Sequence, residues 1–243
     1  MKKLIILTLI IHFSSIVYGQ ADHQLDALYN VKFNHQIEFE GQTFTLNGSG
    51  KHEKKIFKIF GCGLYLKNPS KENLDIIYST DTRIIDFVIS SAQFQSKNTI
   101  NELNELHEKN KDLLKTGEFD ELFKNIEDNE IFFPKRFTET KPFFEDAFNI
   151  ANRGYEESYN NYIDDFIALF ENKNCKGDHY RIVFKGSNLT QIYKKGELVF
   201  KANDKAFQKA ILNVFIGNDA FDKKLKKDLM GIKPLDDLNK NNL

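Results

Sequence analysis

The sequence lacks tryptophan and contains little cysteine, methionine or proline: its 243 residues include two Cys, two Met and four Pro. So few cysteines exclude a small scaffold held together by disulfides. An excess of basic charge is also missing, since 34 Lys and Arg stand against 35 Asp and Glu. A nucleic-acid partner is therefore not expected. The 41% of hydrophobic residues, among them 23 Phe, is typical of a globular protein with a large apolar core.

Motifs for metal binding, cofactor binding and nucleophilic catalysis are missing as well. There is no HExxH, no paired CxxC and no G-x-S-x-G, and His107 and His179 stand alone among charged neighbours. Residues 47–50 (Asn-Gly-Ser-Gly) resemble a phosphate loop superficially, but no helical pattern follows them. The sequence thus indicates neither a metal nor a cofactor.

The longest apolar run lies at the N-terminus, over residues 4–11. Two lysines precede this run, and small and polar residues follow it up to Gly19, which is the order of a secretory signal. The run is shorter than the roughly 20 residues of a spanning helix. We expect residues 1–19 to be a signal peptide cleaved after Gly19, no integral membrane segment in the mature protein, and a periplasmic or secreted location.

The two cysteines, Cys62 and Cys175, leave two possibilities open. An oxidising compartment permits a disulfide between them. Cys62, however, lies in an apolar strand-like run, where a buried free thiol is the commoner state.

Alternating apolar residues predict strands in the first part of the chain. The predicted elements are a strand pair or bulged strand over 37–46, a turn at 47–50, a long β-run over 52–67 and a strand over 83–91. Gly61 and Gly63 interrupt the long run, which indicates a bulge or the close approach of another group.

Helical spacing dominates the middle of the chain. It predicts a helix from about Asn98 to Thr116, a shorter helix over 118–127 and a loop at 131–134. An aromatic stripe over 144–170 predicts one long helix that Gly154 bends or splits. The stripe either packs on a sheet or directs its Tyr hydroxyls into a cavity.

The last third of the chain predicts a β-meander followed by two helices. The strands cover 179–185, 189–193 and 197–201, Asn203 and Asp204 cap a helix that ends at Gly217, and Asp219 starts a second helix that stops at Gly231. Strands first, helices next, then strands and helices again predict an α+β fold, in which helices cover one face of a mostly antiparallel sheet.

Several linked stretches resemble the chalcone isomerase-like family, in particular its short exported bacterial members. They are 44–50 (Phe-Thr-Leu-Asn-Gly-Ser-Gly), 57–66 (Phe-Lys-Ile-Phe-Gly-Cys-Gly-Leu-Tyr-Leu), 193–200, 207–217 and 225–231. The resemblance covers residues 37–115 and 160–232 and leaves 116–150 without a counterpart. It implies an open-faced β-sandwich, a large antiparallel sheet with one layer of helices and a cleft between them. The domain would span 37–234, after an N-terminal extension at 20–36 and before a polar tail at 235–243.

The family's catalytic groups are largely replaced in this sequence. The resemblance implies a set of charge-stabilising groups known from plant chalcone isomerases. They are an Arg after a Gly-x-Gly turn, a strand Thr, a helical Tyr and Asn, and a Thr before an Ile-Gly pair. Here the Arg position falls at Lys51 or His52, with His52 favoured. The strand Thr falls at Phe60 and the last Thr at Val214, and the helical Tyr is Tyr155 or Tyr159.

Three functions follow as hypotheses from this comparison. The leading one is a non-catalytic protein that binds a small apolar molecule such as a fatty acid, with Lys51, His52 and Tyr155 as polar anchors. Its ligand-binding residues would be Lys51, His52, Phe60, Tyr155, Tyr159 and Val214. The alternative is an intramolecular lyase, an isomerase of the chalcone isomerase type, that uses His52 and Tyr155 as catalytic residues. The third is an envelope protein that acts through protein contacts.

Overall fold

The computed structural model describes residues 31–54, 57–116, 137–155 and 158–232. The strands in these ranges are β1 (Gln36–Phe39), β2 (Gln42–Lys54), β3 (Phe57–Leu66), β4 (Arg83–Ile89), β5 (Phe94–Gln95), β6 (Thr138–Glu139), β7 (His179–Lys185), β8 (Leu189–Lys194) and β9 (Glu197–Asn203). The α-helices are α1 (Asn73–Tyr78), α2 (Lys97–Thr116), α3 (Thr140–Ala151), α4 (Ile163–Ala168), α5 (Lys205–Ile216) and α6 (Lys223–Leu229), and a 3₁₀ turn covers Asn160–Tyr162. No described helix combines the length and the apolar character that crossing a membrane requires.

Seven strands form one sheet in the order β1-β2-β3-β4-β7-β8-β9, and every neighbouring pair is antiparallel. The short strands β5 and β6 form a separate parallel pair. The predicted α+β class is confirmed, as are the meander of β7 to β9 and the hairpin of β1 and β2. The helix predicted from about Asn98 to Thr116 is also confirmed, since α2 covers Lys97–Thr116.

The main core lies between the sheet and its helices. Alternation along β4 directs Ile85, Phe87 and Ile89 to this side. Helix α3 contributes Phe144 and Phe148 to this core, and α5 contributes most of its residues. Phenylalanine rings fill the space between, and the centroids of neighbouring rings lie 4.5 Å or more apart. Each buried Phe contributes about 1.5–3 kcal/mol, so this aromatic layer contributes substantially to stability.

The opposite face of the sheet carries a smaller apolar cluster that the segment before β1 covers. Tyr65 donates its hydroxyl hydrogen to the carbonyl oxygen of Asn34 at 3.0 Å. A Cβ added at Gly63 would lie 2.7 Å from the Phe33 ring, and one at Gly61 would lie 3.4 Å from Val31. The close approach of another group is therefore confirmed at Gly63, whereas Gly61 has room for a methyl group at an ordinary contact distance.

The turn predicted at residues 47–50 is wrong, because these residues continue β2 with a register shift between Leu46 and Gly48. Their glycines make room for helix α6. A Cβ at Gly48 would lie 2.1 Å from the carbonyl oxygen of Asp228, and one at Gly50 would lie 2.5 Å from the Cβ of Asp228. The glycine pair thus marks a helix packed directly on a strand.

The long helix predicted over 144–170, which Gly154 was expected to bend or split, is split in the structure. Helix α3 ends at Ala151, and Gly154 adopts a left-handed conformation with a φ of 86°. Asn152 ends the helix by donating its side-chain amide to the carbonyl oxygens of Phe148 and Ala210, each at 3.2 Å. Phe166 on α4 and Phe170 after it continue the buried part of the stripe, whereas Tyr155 at the split is exposed.

Two smaller expectations are settled by the structure. The last helix begins after Asp222, not Asp219, and Gly231 follows it with a φ of 64°. Cys62 and Cys175 are both free thiols, and burial raises the pKa of the Cys62 thiol well above its usual value. The signal peptide at 1–19, the first part of the extension at 20–36, the helix at 118–127, the loop at 131–134 and the tail at 235–243 lie outside the described residues.

The contact between β2 and α6 can be tested by adding a methyl group at Gly48. We expect Gly48→Ala to lower the free energy of unfolding by about 1–3 kcal/mol, since the obstacle is helix backbone that cannot rotate away. Gly61→Ala is the matched control on the neighbouring strand, because its new methyl group meets Val31 at an ordinary contact distance. Chemical denaturation of both variants measures the difference. Equal stability of the two would contradict the proposed role of Gly48.

Candidate functional site

The candidate site is built around His52 near the end of β2. His52 pairs with Phe60 on β3, and directly paired residues of antiparallel strands share one face of the sheet. Because Phe60 belongs to the main core, His52 also faces the helices. Its side chain retains 17% exposure, so the imidazole lies at the boundary between this core and solvent.

Three phenylalanines surround the imidazole of His52. Its ring centroid lies 5.1 Å from that of Phe60, at an interplanar angle of 28°. The centroids of Phe143 from α3 and Phe221 from the loop before α6 lie 5.4 Å and 5.2 Å away. Phe60 is fully buried, whereas Phe143 and Phe221 are half-buried. These four rings form what we call the aromatic cage.

Asp222 connects the aromatic cage to the start of α6. Its Oδ1 accepts from the backbone N–H groups of Lys224 and Leu225 at 2.9 Å and 3.0 Å, and its Oδ2 lies 2.8 Å from the Nδ1 of His52. Burial acts to raise the pKa of Asp222, but the hydrogen bonds from His52, Leu225 and Lys224 outweigh it and leave that pKa below its usual value. Since an ionised carboxylate only accepts, Nδ1 of His52 donates to Asp222.

Phe60 of the cage and Val214 on α5 are both buried, at 0% and 3% exposure. The backbone N–H of Phe221 donates to the carbonyl oxygen of Val214 at 3.3 Å, which fixes the cage at the end of α5. Tyr159 is buried deeper in the core, where its ring lies 5.9 Å from that of Phe148. Three of the six ligand-binding residues expected from the sequence, His52, Phe60 and Val214, therefore meet at one place.

The structure does not bring Lys51 and Tyr155 to the cage. Lys51 pairs with Gly61, whose missing Cβ points to the opposite face of the sheet, and its Nζ lies 3.2 Å from Glu53. Tyr155 lies in the turn after α3 at 71% exposure. Phe143 lies in the first turn of α3, whereas Tyr155 lies beyond Ala151, after a helical rise of roughly 12 Å from Phe143 to the end of α3.

Sequence reasoning missed Phe143, Phe221 and Asp222. Asp222 stands three residues before Leu225, at the spacing of an N-cap that bonds the third backbone N–H of a helix. The competing Asp219 carries the same signal, and nothing local separates the two. Phe143 and Phe221 carry no signal beyond their apolar character, since only the packing of α3 and α6 brings them to His52.

A second charged cluster lies on the opposite face of the sheet. Asp86 accepts from the Nε and Nη2 of Arg181 at 2.7 Å and 2.9 Å, and its Oδ1 lies 3.2 Å from the Nε2 of His179. Burial acts to raise the pKa of Asp86, but Arg181 and His179 outweigh it and lower that pKa. The sequence indicated that His179 stands alone, but the structure places it in contact with Asp86. The cluster links β4 to β7.

A cavity of about 240 Å³ lies beside α1, far from the aromatic cage. Its lining mixes apolar residues such as Leu66 and Ile76 with charged ones such as Asp81 and Arg83. It lies at the Leu66 end of β3, six residues or about 20 Å from Phe60. It is not the apolar site that the sequence predicts.

Comparison with known proteins agrees with this fold. The model of the chalcone isomerase-like family matches residues 26–140 and 135–231. The chain therefore belongs to the chalcone isomerase-like family. Among 36 matching chains of solved structures is a fatty-acid binding protein of Arabidopsis thaliana, with a TM-score of 0.50 and 14% identity over 82% of this chain and 90% of that chain. At this identity the likeness concerns the fold. No curated protein sequence matches the chain.

The pKa of Asp222 gives a pH-dependent test of its bond to His52. Because this pKa is lower in the folded state, the carboxylate stabilises the protein above about pH 4 and loses this effect as the pH falls through the folded value. We expect Asp222→Asn, which keeps a capping side chain, to cost about 1–2 kcal/mol at neutral pH and progressively less in acid. Thermal unfolding across pH measures the difference.

The control for this test is Asp228→Asn on the same helix. Burial raises the pKa of Asp228, so its ionised form is disfavoured in the folded state. Its removal should leave the stability at neutral pH unchanged or increase it. A loss in Asp222→Asn that is equal at neutral and acidic pH would show that packing, and not the charge of Asp222, causes it.

Proposed function

We propose that this chalcone isomerase-like protein is non-catalytic and binds a long apolar molecule, such as a fatty acid, at the aromatic cage. The observation that carries the proposal is the arrangement around His52. Its Nδ1 is engaged by Asp222, and three phenylalanine rings enclose it. Rings of this kind supply an apolar binding surface with one polar anchor, which is the usual composition of a small-molecule site.

The chain lacks or misplaces groups that an isomerase needs, which argues against the catalytic alternative. Phe60 and Val214 stand where the family resemblance places threonine hydroxyls, and both are buried among apolar side chains. Tyr155, the other catalytic residue of that alternative, lies in an exposed turn at the far end of α3. A reaction that builds negative charge on oxygen would therefore lack the preorganised donors that lower its barrier.

An apolar ligand would enter where the aromatic layer is least buried. Phe143 and Phe221 are partly exposed, while Phe60, Phe87 and Phe94 behind them are fully buried. Moving a half-buried ring costs less than moving a buried one, because less contact area is lost. The likeness to a fatty-acid binding protein of the same fold supports a linear acyl chain as the molecule that enters.

A second function, action through protein contacts, is favoured by the filled core. The rings of Phe87, Phe144, Phe170 and Tyr180 pack against one another at centroid distances of 4.6–6.4 Å and leave the aromatic layer tightly occupied. A binding protein must displace some of these side chains, whereas a contact protein need not. We also propose a periplasmic or secreted location after removal of residues 1–19, on the sequence signal alone.

The absence of tryptophan makes a direct binding test possible. Phe221→Trp places the single tryptophan of the chain in the aromatic cage. We expect its fluorescence to change saturably with laurate, because the chain of the ligand would replace solvent around the indole. Tyr78→Trp on α1, where the side chain is 64% exposed, is the control and should give no saturable change.

Mass spectrometry of lipids extracted from the native protein supplies an independent measurement. Bound acyl lipids in stoichiometric amount would support the binding function. An empty protein whose Phe221→Trp fluorescence ignores laurate would favour action through protein contacts instead. Turnover of a chalcone by the wild-type protein, lost in His52→Ala, would support the isomerase.

A further inference from the structure

The cavity beside α1 is lined by a buried cation that has no counter-ion. Arg83 borders this space of about 240 Å³ and is 1% exposed. Its guanidinium donates to neutral acceptors, which are the carbonyl oxygens of Ser79 and Gly186 and, at 2.7 Å, the Oε1 of Gln208. In the described part of the chain Arg83 forms no ion pair, and its Nε–H has no acceptor. A positive charge is thus left uncompensated at the cavity.

The other buried cluster of the sheet shows how this chain compensates an arginine that serves structure. Arg181 is half-buried and donates to both carboxylate oxygens of Asp86, at 2.7 Å and 2.9 Å. Arg83 is buried more deeply, yet all its described partners are neutral. Burial lowers the pKa of Arg83 to about 10, against the opposing effect of Asp81, so the guanidinium is charged at neutral pH. Because a buried charge is costly unless an opposite charge accompanies it, the cavity favours a ligand that brings an anionic group.

Carboxylates line the exposed side of the same cavity. Asp75 and Asp81 both border it and are exposed, as is Lys67. Asp81 is tied to the guanidinium through Ser79, whose Oγ accepts from the Asp81 backbone N–H at 3.0 Å and whose carbonyl oxygen accepts from Arg83. Asp75 on α1 stands four residues before Ser79, which places it one helical turn away.

The balance of these charges decides what kind of ligand fits. Two cations, Lys67 and Arg83, stand against two carboxylates, Asp75 and Asp81. A plain anion would gain from Arg83 but would be repelled by the carboxylates, whereas a ligand that carries both charges is attracted by both sets. The buried side chains of Leu66 and Ile76 add an apolar part to the lining. The space is smaller than the roughly 300–1,000 Å³ of a drug-sized pocket, so the ligand must be small.

We propose that this cavity binds a small zwitterion, an α-amino acid with an aliphatic side chain, at a site separate from the aromatic cage. The carboxylate of the ligand supplies the counter-charge that Arg83 lacks. Its ammonium group lies at Asp75 and Asp81, and its aliphatic group contacts Leu66 and Ile76.

Three ligands with one aliphatic skeleton test the proposal by titration calorimetry on the full chain. They are leucine, isocaproate, which lacks the ammonium group, and isoamylamine, which lacks the carboxylate. We expect saturable binding of leucine, and we expect each of the two analogues to bind about tenfold more weakly because each loses one charged contact.

Variants of the exposed carboxylates test the same contacts from the side of the protein. The double variant Asp75→Asn with Asp81→Asn should weaken leucine about tenfold and should not weaken isocaproate, so the preference for leucine is lost. Glu72→Gln is the matched control, since this exposed carboxylate precedes α1 and does not line the cavity. It should leave all three affinities unchanged. Arg83→Gln removes the buried charge and should abolish the binding of leucine, and circular dichroism verifies that this variant is folded.

Each contrary result has a definite meaning. Equal or tighter binding of isocaproate by the wild-type protein would overturn the inference, because a plain anion would then suffice. Full affinity for leucine in the double variant would overturn it as well, and so would the absence of saturable leucine binding to the folded wild-type protein. None of these results bears on the aromatic cage, because laurate and the fluorescence of Phe221→Trp report on a site about 20 Å away.

Discussion

The direct packing of α6 on β2 is the constraint on which the rest of the site depends. Gly48 and Gly50 let the helix backbone approach the strand to within the space of a methyl group. Asn47 fixes the register by donating its side-chain amide to the carbonyl oxygen of Leu229 at 2.9 Å. From this anchor the helix runs back along the strand, so that its N-cap arrives at His52. Asp222 at that N-cap lies 2.8 Å from the Nδ1 of His52.

This geometry explains why the aromatic cage requires elements that are distant in sequence. The strand provides His52, α3 provides Phe143, and the loop into α6 provides Phe221. The hydrogen bond from the Phe221 backbone to Val214 couples that loop to α5. The packing of the helices therefore positions the rings of Phe143 and Phe221 at the edge of the core and leaves them partly exposed.

The sequence predicted the elements whose signal is local and missed those set by long-range packing. Strands β7 to β9 and helix α5 carry regular alternation and an N-cap at Asp204, and both were correctly expected. The glycines of residues 47–50 have the composition of a turn, and only the position of α6 shows that they belong to a strand. The stripe over 144–170 keeps its period across Gly154, so the sequence could not separate two helices from one. The family resemblance predicted His52 and Phe60 as site residues. Asp222 was not predicted, because Asp219 is an equally good candidate for the N-cap of the last helix.

Each face of the sheet carries a contact between a histidine and an aspartate, and the two contacts have different roles. On the opposite face, Asp86 is held by both Arg181 and His179, so its charge is balanced by a guanidinium and the cluster serves the sheet. On the helix face, Asp222 has His52 and backbone amides but no arginine among its described partners. The described partners of Asp222 are the imidazole of His52 and the first backbone N–H groups of α6, and they hold that imidazole at the rim of an apolar core. The position of His52 among partly exposed rings, and not the presence of a histidine as such, makes the helix face a candidate for binding a ligand.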